Sequence, residues 1–293
     1  MSKLKLIIKY GKFIDLPNLV PSVNLSIKTP TPNMRGVVNY HAVDNVKTYM
    51  MRIDAEMNEV LPKIDKTEVT LHDPRVGEEL KFSKCGLEYA FYPTSVQKFD
   101  DTLDDRTKDI YERELADLLK SKLENVSEVF VFDYLVRSNK SETRGPARHV
   151  HVDYTASSAE KRMRDMLGNQ RAWEWFKDDG HFGIINVWRP LDHPVERDPL
   201  GFIDPSTVGP DDSHILKIDH TGRVGVILGV ENRERHKWLV IDKMNPDMVW
   251  IFCQFDSRGL QGVPHSAVEV VGTDEKARPR RSIECRVLVR YKK

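Results

Sequence analysis

Cysteine is scarce, with three residues in 293: Cys85, Cys253 and Cys285. Three thiols so far apart build neither a disulfide framework nor a thiolate zinc site. Cys253 and Cys285 lie in apolar, strand-like runs, which predicts buried free thiols. An excess of one charge is also missing. Lys plus Arg number 45 and Asp plus Glu number 45, for a formal net charge of zero. That balance lacks the basic surplus expected of a dedicated nucleic-acid binder. No run approaches the ~20 apolar residues of a membrane span. Met1 to Lys12 alternates apolar residues with Lys and Tyr, without the unbroken apolar core or cleavage site of a secretory signal. HExxH and paired Cys-x-x-Cys are absent, which removes the zinc-protease and zinc-ribbon readings. These exclusions predict a soluble, cytoplasmic globular protein with a small-molecule partner and no nucleic-acid or membrane partner. A homo-oligomer stays open.

The chain is long enough to bury a substantial core, and 40% of its residues are hydrophobic. The stretch up to about Pro93 reads as an irregular N-terminal region. It holds short β-like runs (Leu4 to Tyr10, Gly36 to Tyr40) and a short helix over Met50 to Val60. A helix is expected from about Thr102 to Asn125, with Asp100 and Asp101 as cap candidates and Tyr111, Leu115, Leu118, Leu119 and Leu123 on its apolar face. Glu128 to Arg137 reads as a buried strand, and Arg148 to Thr155 alternates as another. Ser157 and Glu160 have capping-box spacing, opening a helix that ends near Gly168, and a second short helix runs on to Gly180. Beyond Gly180, seven runs read as strands separated by Pro, Gly, Asp and Asn: Phe182 to Trp188, His214 to Ile218, Val224 to Val230, Lys237 to Ile241, Met248 to Phe255, Ala267 to Val271 and Ile283 to Val289. The expected fold is mainly β with flanking helices, a jelly roll or sandwich. Residues 1–293 are read as one domain, with its core over about 128–291 and a helical insertion at 157–180.

Ten histidines invite a search for metal spacing. His151 and Asp153 stand two apart on a predicted strand, so both side chains reach one face. Such a pair alone is worth little, because chance supplies roughly one His-x-Asp in a chain of this composition. A two-His-one-carboxylate site needs a further histidine from a distant strand. His265 precedes a strand, a polar loop and a strand opening Arg280-Arg281-Ser282. Arg280, Ser282, Glu284 and Arg286 share one parity. An Arg fork beside a hydroxyl suits a carboxylate, while Arg281 should point away. His149 is a rival ligand, or a hydrogen-bonding support for the site. Asn186, Trp188 and Arg189 are candidate substrate contacts on a predicted strand, and Tyr154 is another. His214, His220 and His236 receive no role.

With its accessory segments, this pattern resembles a known family. His151-x-Asp153, His265 and Arg280-x-Ser282 look like the signature of the non-haem Fe(II)/2-oxoglutarate-dependent oxygenases. HVDYT (His151 to Thr155), INVWRPL (Ile185 to Leu191) with HPVERDPL after it, DSR (Asp256 to Arg258) before PHSAV, and RRSIECRVLV resemble one subgroup. That is the microbial hydroxylase/desaturase family, which includes fungal gibberellin desaturase and the small methoxylase component of cephamycin synthesis. The resemblance covers about Val129 to Tyr291.

The resemblance implies a double-stranded β-helix, cupin-like core with iron on His151, Asp153 and His265. It implies 2-oxoglutarate and O2 as cosubstrates, with the distal carboxylate of 2-oxoglutarate on Arg280 and Ser282 or on Arg286. The implied reaction removes hydrogen from a C–H bond of a small natural-product or amino-acid-derived intermediate as 2-oxoglutarate is decarboxylated to succinate. Hydroxylation, desaturation and oxidative cyclisation share that step. Two other readings stay open: a cupin-like metalloenzyme without 2-oxoglutarate, and a non-catalytic jelly-roll binding module.

Overall fold

The structure, a computed structural model, describes residues 34–42, 48–52, 63–77, 79–137, 146–220 and 223–292. In chain order its elements are β1 (Met34–His41), β2 (Thr48–Arg52), β3 (Ile64–His72), α1 (Phe82–Cys85), β4 (Leu87–Phe91), α2 (Asp105–Lys122), β5 (Val126–Arg137), β6 (His151–Val152) and α3 (Ala156–Phe176). They continue with β7 (His181–Pro190), β8 (Leu200–Ile203), β9 (Ser213–His220), β10 (Arg223–Val230), β11 (Trp238–Leu239), β12 (Met248–Asp256), β13 (His265–Ala267), β14 (Glu269–Val270) and β15 (Ser282–Tyr291).

Among the described residues these strands form two sheets. One has ten strands in the order β14-β1-β3-β11-β8-β13-β6-β10-β9-β2, and the other five in the order β4-β12-β7-β15-β5. The five-stranded sheet is antiparallel throughout, and its strands β7, β12 and β15 are buried on both faces. Ile283, Cys285, Val287 and Val289 of β15 join the apolar cluster that takes in Tyr111, Leu115, Leu118 and Leu119 of α2. The alternate residues Ser282, Glu284 and Arg286 face inward. α3 packs Ala159, Met163 and Trp175 against Ile184 and Leu288, filling the interior just beyond Arg286. A separate cluster around Val38, Tyr40, Val150 and Trp238 lies on the large sheet, with Leu71, Ile203 and Val230 of β3, β8 and β10 beside it.

Several expectations need correction. The N-terminal third is less irregular than its composition suggests, because β1 pairs with β3 over eight residue pairs and β4 edges the small sheet. β3 has the burial pattern eieieieBe, so one face stays wet and charged, and that masks its strand character in the sequence. The helix expected over Met50 to Val60 begins in strand β2, and its remainder lies outside the described residues, as does Leu4 to Tyr10. α2 is capped by Asp104, whose carboxylate accepts from the Thr107 N–H at 2.7 Å, rather than by Asp100 or Asp101. α3 is capped by Thr155 in a capping box with Ser158, two residues before the expected Ser157. Gly168, at φ 74°, breaks α3 in two, as a left-handed residue must. The strand expected over Arg148 to Thr155 shrinks to His151 and Val152, so Asp153 stands just past its end.

Candidate metal centre

β6 and β13 are neighbours in the large sheet, with His151 directly opposite His265 and their ring centres 4.4 Å apart. Asp153 is the third member, its Oδ1 3.3 Å from His151 Nε2. Each of the three offers one ligand atom, and all three atoms lie within 4.8 Å of one another. The imidazoles are oriented by their own backbone. His151 Nδ1 meets the His149 carbonyl at 2.7 Å and His265 Nδ1 meets the Val263 carbonyl at 3.1 Å. A carbonyl only accepts, so each Nδ1 carries a proton and each Nε2 is the atom left for an ion. Burial lowers the His151 imidazole, but Asp153 outweighs it and raises the group above its ordinary value, so an ion at that Nε2 would displace a proton.

Asp153 is held from three sides. Its N–H donates to Gln254 Oε1 at 2.7 Å, Asn186 Nδ2 donates to its Oδ2 at 2.9 Å, and Arg286 Nε lies 3.3 Å from the same oxygen. Burial raises the Asp153 carboxyl, but Arg286 and His151 outweigh it and hold the group well below the usual carboxylate range. Burial and the charge of His151 push the His265 imidazole down to about 3, which keeps it neutral. Arg286 also pairs with Asp133 at 3.1 Å and Glu284 at 3.3 Å, so three carboxylates already surround it.

Arg280 is 5% exposed, donates to the Asp198 carbonyl at 2.5 Å and sits 5.4 Å over the Trp188 ring. Burial, with Arg137 adding to it, pushes its guanidinium down to about 10. The Ser282 hydroxyl is buried and has no hydrogen-bond partner among the described residues. Arg281 points outward, as expected, to the Phe99 carbonyl, Asp101 and Asp192.

The remaining candidates divide. Asn186 reaches the cluster through Asp153, and Trp188 lies under Arg280. Arg189 does not join them. It is 1% exposed on the opposite face of β7, donating to the Tyr92 carbonyl at 2.9 Å and lying 5.3 Å over the Tyr111 ring. Its odd spacing from Asn186 sends it there. Tyr154 packs beneath α3 with Ala159, Met163 and Trp175. His149 serves through its carbonyl, while its ring lies 5.7 Å from that of His41. Gln254 was not among the candidates, although a lone amide in the apolar run of β12 is a usable signal. His236 is not idle either: it bonds Asp212 and Tyr40, both at 3.0 Å.

A jelly roll with two imidazoles and one carboxylate gathered on its inner face defines a protein of the double-stranded β-helix class with a candidate mononuclear metal centre. A family model described as an oxidoreductase/YMDC permease-like domain matches residues 38–290, and the chain belongs to that family. Among the described residues no helix is long and apolar enough to cross a membrane. The chain is 27% identical to oxidoreductase clz16 of Cochliobolus lunatus over 58% of its own length, and it spans 65% of that relative. It is 29% identical to hydroxylase/desaturase efuI of Hormonema carpetanum, covering 78% of this chain and 84% of that protein. It is 28% identical to the Fe(II)/2-oxoglutarate-dependent dioxygenase nvfI of Aspergillus novofumigatus, covering 69% and 74%. A solved structure of the iron and alpha-ketoglutarate-dependent endoperoxidase NvfI matches with a TM-score of 0.74 at 22% identity, covering 89% of this chain and 99% of that one. The two share the fold.

Proposed function

We propose that this oxidoreductase is an Fe(II)/2-oxoglutarate-dependent oxygenase acting on a C–H bond of a small natural-product or amino-acid-derived molecule. The observation that carries the reading is the convergence of His151, Asp153 and His265, with each Nδ1 tied to a backbone carbonyl and each Nε2 left for an ion. Two imidazole Nε2 atoms and one ionised carboxylate suit a divalent iron with positions left open, the ion taking the place of a proton on His151. The cosubstrate fits as well. Ser282 brings an orphaned buried hydroxyl, Arg280 a buried guanidinium, and Asp153 and Ser282 face the same interior.

In this reading His151, Asp153 and His265 hold the iron, and Arg280 with Ser282 holds the distal carboxylate of 2-oxoglutarate. Iron, 2-oxoglutarate and O2 together supply the oxidation of a C–H bond, with succinate and CO2 as coproducts. The chain's own groups position and insulate. Asn186 and Arg286 keep Asp153 ionised and occupy its Oδ2, which leaves Oδ1 for the ion. Arg286 is committed to Asp153, Glu284 and Asp133, so Arg280 is the better anchor for the cosubstrate. Trp188 and α3 shield the interior from water. Hydroxylation, desaturation and ring closure share the hydrogen-removal step and differ in the fate of the substrate radical, and all three are compatible with this frame. The described residues act as one catalytic unit, with the 128–291 core supplying the residues for iron and 2-oxoglutarate.

Anaerobic titration with Fe(II) and then 2-oxoglutarate tests the proposal. A visible metal-to-ligand charge-transfer band should appear with the wild type and be absent with Asp153→Ala. Iron binding without that band would favour a cupin-like metalloenzyme that does not use 2-oxoglutarate.

A further inference from the structure

A second set of imidazoles shares the sheet face of the candidate metal centre. Gly229 of β10 pairs with His151 on one side and His214 on the other. Residues opposite each other on antiparallel strands project to the same face. The row therefore runs His265, His151, Gly229, His214 across β13, β6, β10 and β9. Glycine leaves the third place without a side chain, and neighbouring rings lean over it. A Cβ there would stand 2.9 Å from His214 Nε2 and 3.1 Å from two carbons of the His41 ring. His41 arrives from the end of β1, its ring 5.1 Å from that of His214 and 5.7 Å from that of His149. It thus sits over the strand that pairs with His151, on the side away from His265.

His41 is 1% exposed, and among the described residues neither of its ring nitrogens has a hydrogen-bond partner. Buried polar groups are rarely left unpaired, since each gives up its water without return. Burial, then the charges of His214 and His149, push the ring down to about 3, so it is neutral near pH 7. A neutral imidazole offers one donor and one acceptor. The charges nearby are already matched: Glu231 lies 3.5 Å from His214 Nδ1 and accepts from Arg233 at 2.7 Å, and Arg233 also pairs with Asp212. An anionic ligand would find no matching cation there. A metal is also a poor fit, since the described residues gather ligand atoms closely only at His151, Asp153 and His265. A hydroxyl or carbonyl oxygen matches.

We propose that His41 is the polar contact of a substrate subsite beside the metal centre, taking a neutral hydroxyl or ketone oxygen of the small molecule to be oxidised. The assignment of this ligand as substrate rests on the oxygenase reading; the subsite itself rests on His41 and Gly229.

Cyclohexanone serves as the probe, soaked anaerobically into crystals of the protein with Fe(II) and 2-oxoglutarate and titrated in solution by ligand-observed NMR. The ketone oxygen should lie within hydrogen-bond distance of a His41 nitrogen. His41→Phe should weaken the probe about tenfold, the worth of one hydrogen bond, while the charge-transfer band keeps its intensity. Gly229→Ala crowds the two rings without removing a nitrogen and should weaken the probe too, which keeps the test open if His41→Phe does not fold. A ketone bound elsewhere, or an ordered water that satisfies His41 and is not displaced, overturns the subsite. A wild type without the charge-transfer band sinks the oxygenase reading, and the position of the ketone in the same crystals still decides the subsite.

Discussion

Asn186 donates to Asp153 Oδ2 at 2.9 Å, while Asp153 Oδ1 faces His151 Nε2 at 3.3 Å. One carboxylate oxygen is thus tied to the protein and the other is left for an ion. Asn186→Ala should therefore weaken Fe(II) binding by roughly tenfold to a hundredfold, the usual cost of removing a partner that orients a ligand. Arg286→Gln should act in the same direction. Competition with a coloured chelator under nitrogen gives the affinities. Unchanged affinity in both variants would mean that Asn186 and Arg286 do not orient Asp153 for the ion.

His149 and His151 are two residues apart and differ in what they give to the site. His151 offers Nε2, whereas His149 offers its carbonyl to His151 Nδ1. His151→Ala should abolish iron binding with the fold retained. His149→Ala keeps the carbonyl and should leave iron bound. Metal analysis of the purified proteins, with circular dichroism as the fold control, separates the two. The reverse pattern would assign the ligand to His149.

Arg280 and Ser282 should separate from Arg286 in a cosubstrate titration. Arg280→Lys keeps the charge but loses the planar fork, so the affinity for 2-oxoglutarate should fall by about tenfold to a hundredfold, or roughly 1.5–3 kcal/mol. Ser282→Ala removes one hydrogen bond to the carboxylate, worth about 1.5–3 kcal/mol or roughly tenfold to a hundredfold. Arg281→Lys, on the outer face, should change nothing in this assay. A large loss in Arg286→Lys at unchanged iron affinity, with none at Arg280, would move the anchor to Arg286.

Much of this site is legible in the sequence because strand parity is a strict rule. Even spacing puts His151 with Asp153, and Arg280 with Ser282 and Arg286, on one face, and the structure keeps them there although Asp153 stands just past β6 and Arg280 just before β15. The same rule separates Asn186 from Arg189, yet β7 is apolar and buried on both faces, so hydropathy does not show which parity points inward. The partners of Asp153 show the other limit. Gln254, Asn186 and Arg286 reach it from three strands of the opposite sheet, and no local pattern encodes that meeting. Short elements hide as well. β6 and β11 have two residues each and exist only through their neighbours, while β2 takes a stretch whose own pattern suits a helix.

Asp212, His236, Tyr40 and Trp238 form a buried chain whose proton positions can be deduced. Trp238 Nε1 only donates, and it gives to the Tyr40 hydroxyl at 2.8 Å. Tyr40 then donates to His236 Nδ1, and His236 Nε2 donates to Asp212, both at 3.0 Å. In that arrangement His236 is neutral, the form that its lowered pKa favours. Burial lowers its pKa, and although Asp212 opposes the shift, the net direction is down. Burial raises Asp212, but the Gly209 N–H and His236 outweigh it, so this carboxyl too is lowered. Both groups bind protons more weakly in the folded chain than in the unfolded one. Their stabilisation is complete above the unfolded values, about 6.5 for His and 3.9 for Asp, and is lost as pH falls through the folded ones. Stability should thus begin to decline below about pH 6.5, read as urea midpoints from pH 7.5 to 5.5. His236→Gln should lower the midpoint overall and make the decline across that window shallower by the share of His236, while the lowered His41 and His265 keep the rest. Asp212→Asn, which strips a buried carboxylate from the partly exposed Arg235 and Arg233 and from His236, should cost about 1–3 kcal/mol at neutral pH. A His236→Gln protein with the wild-type pH slope would show that the proton lost on folding comes from another group.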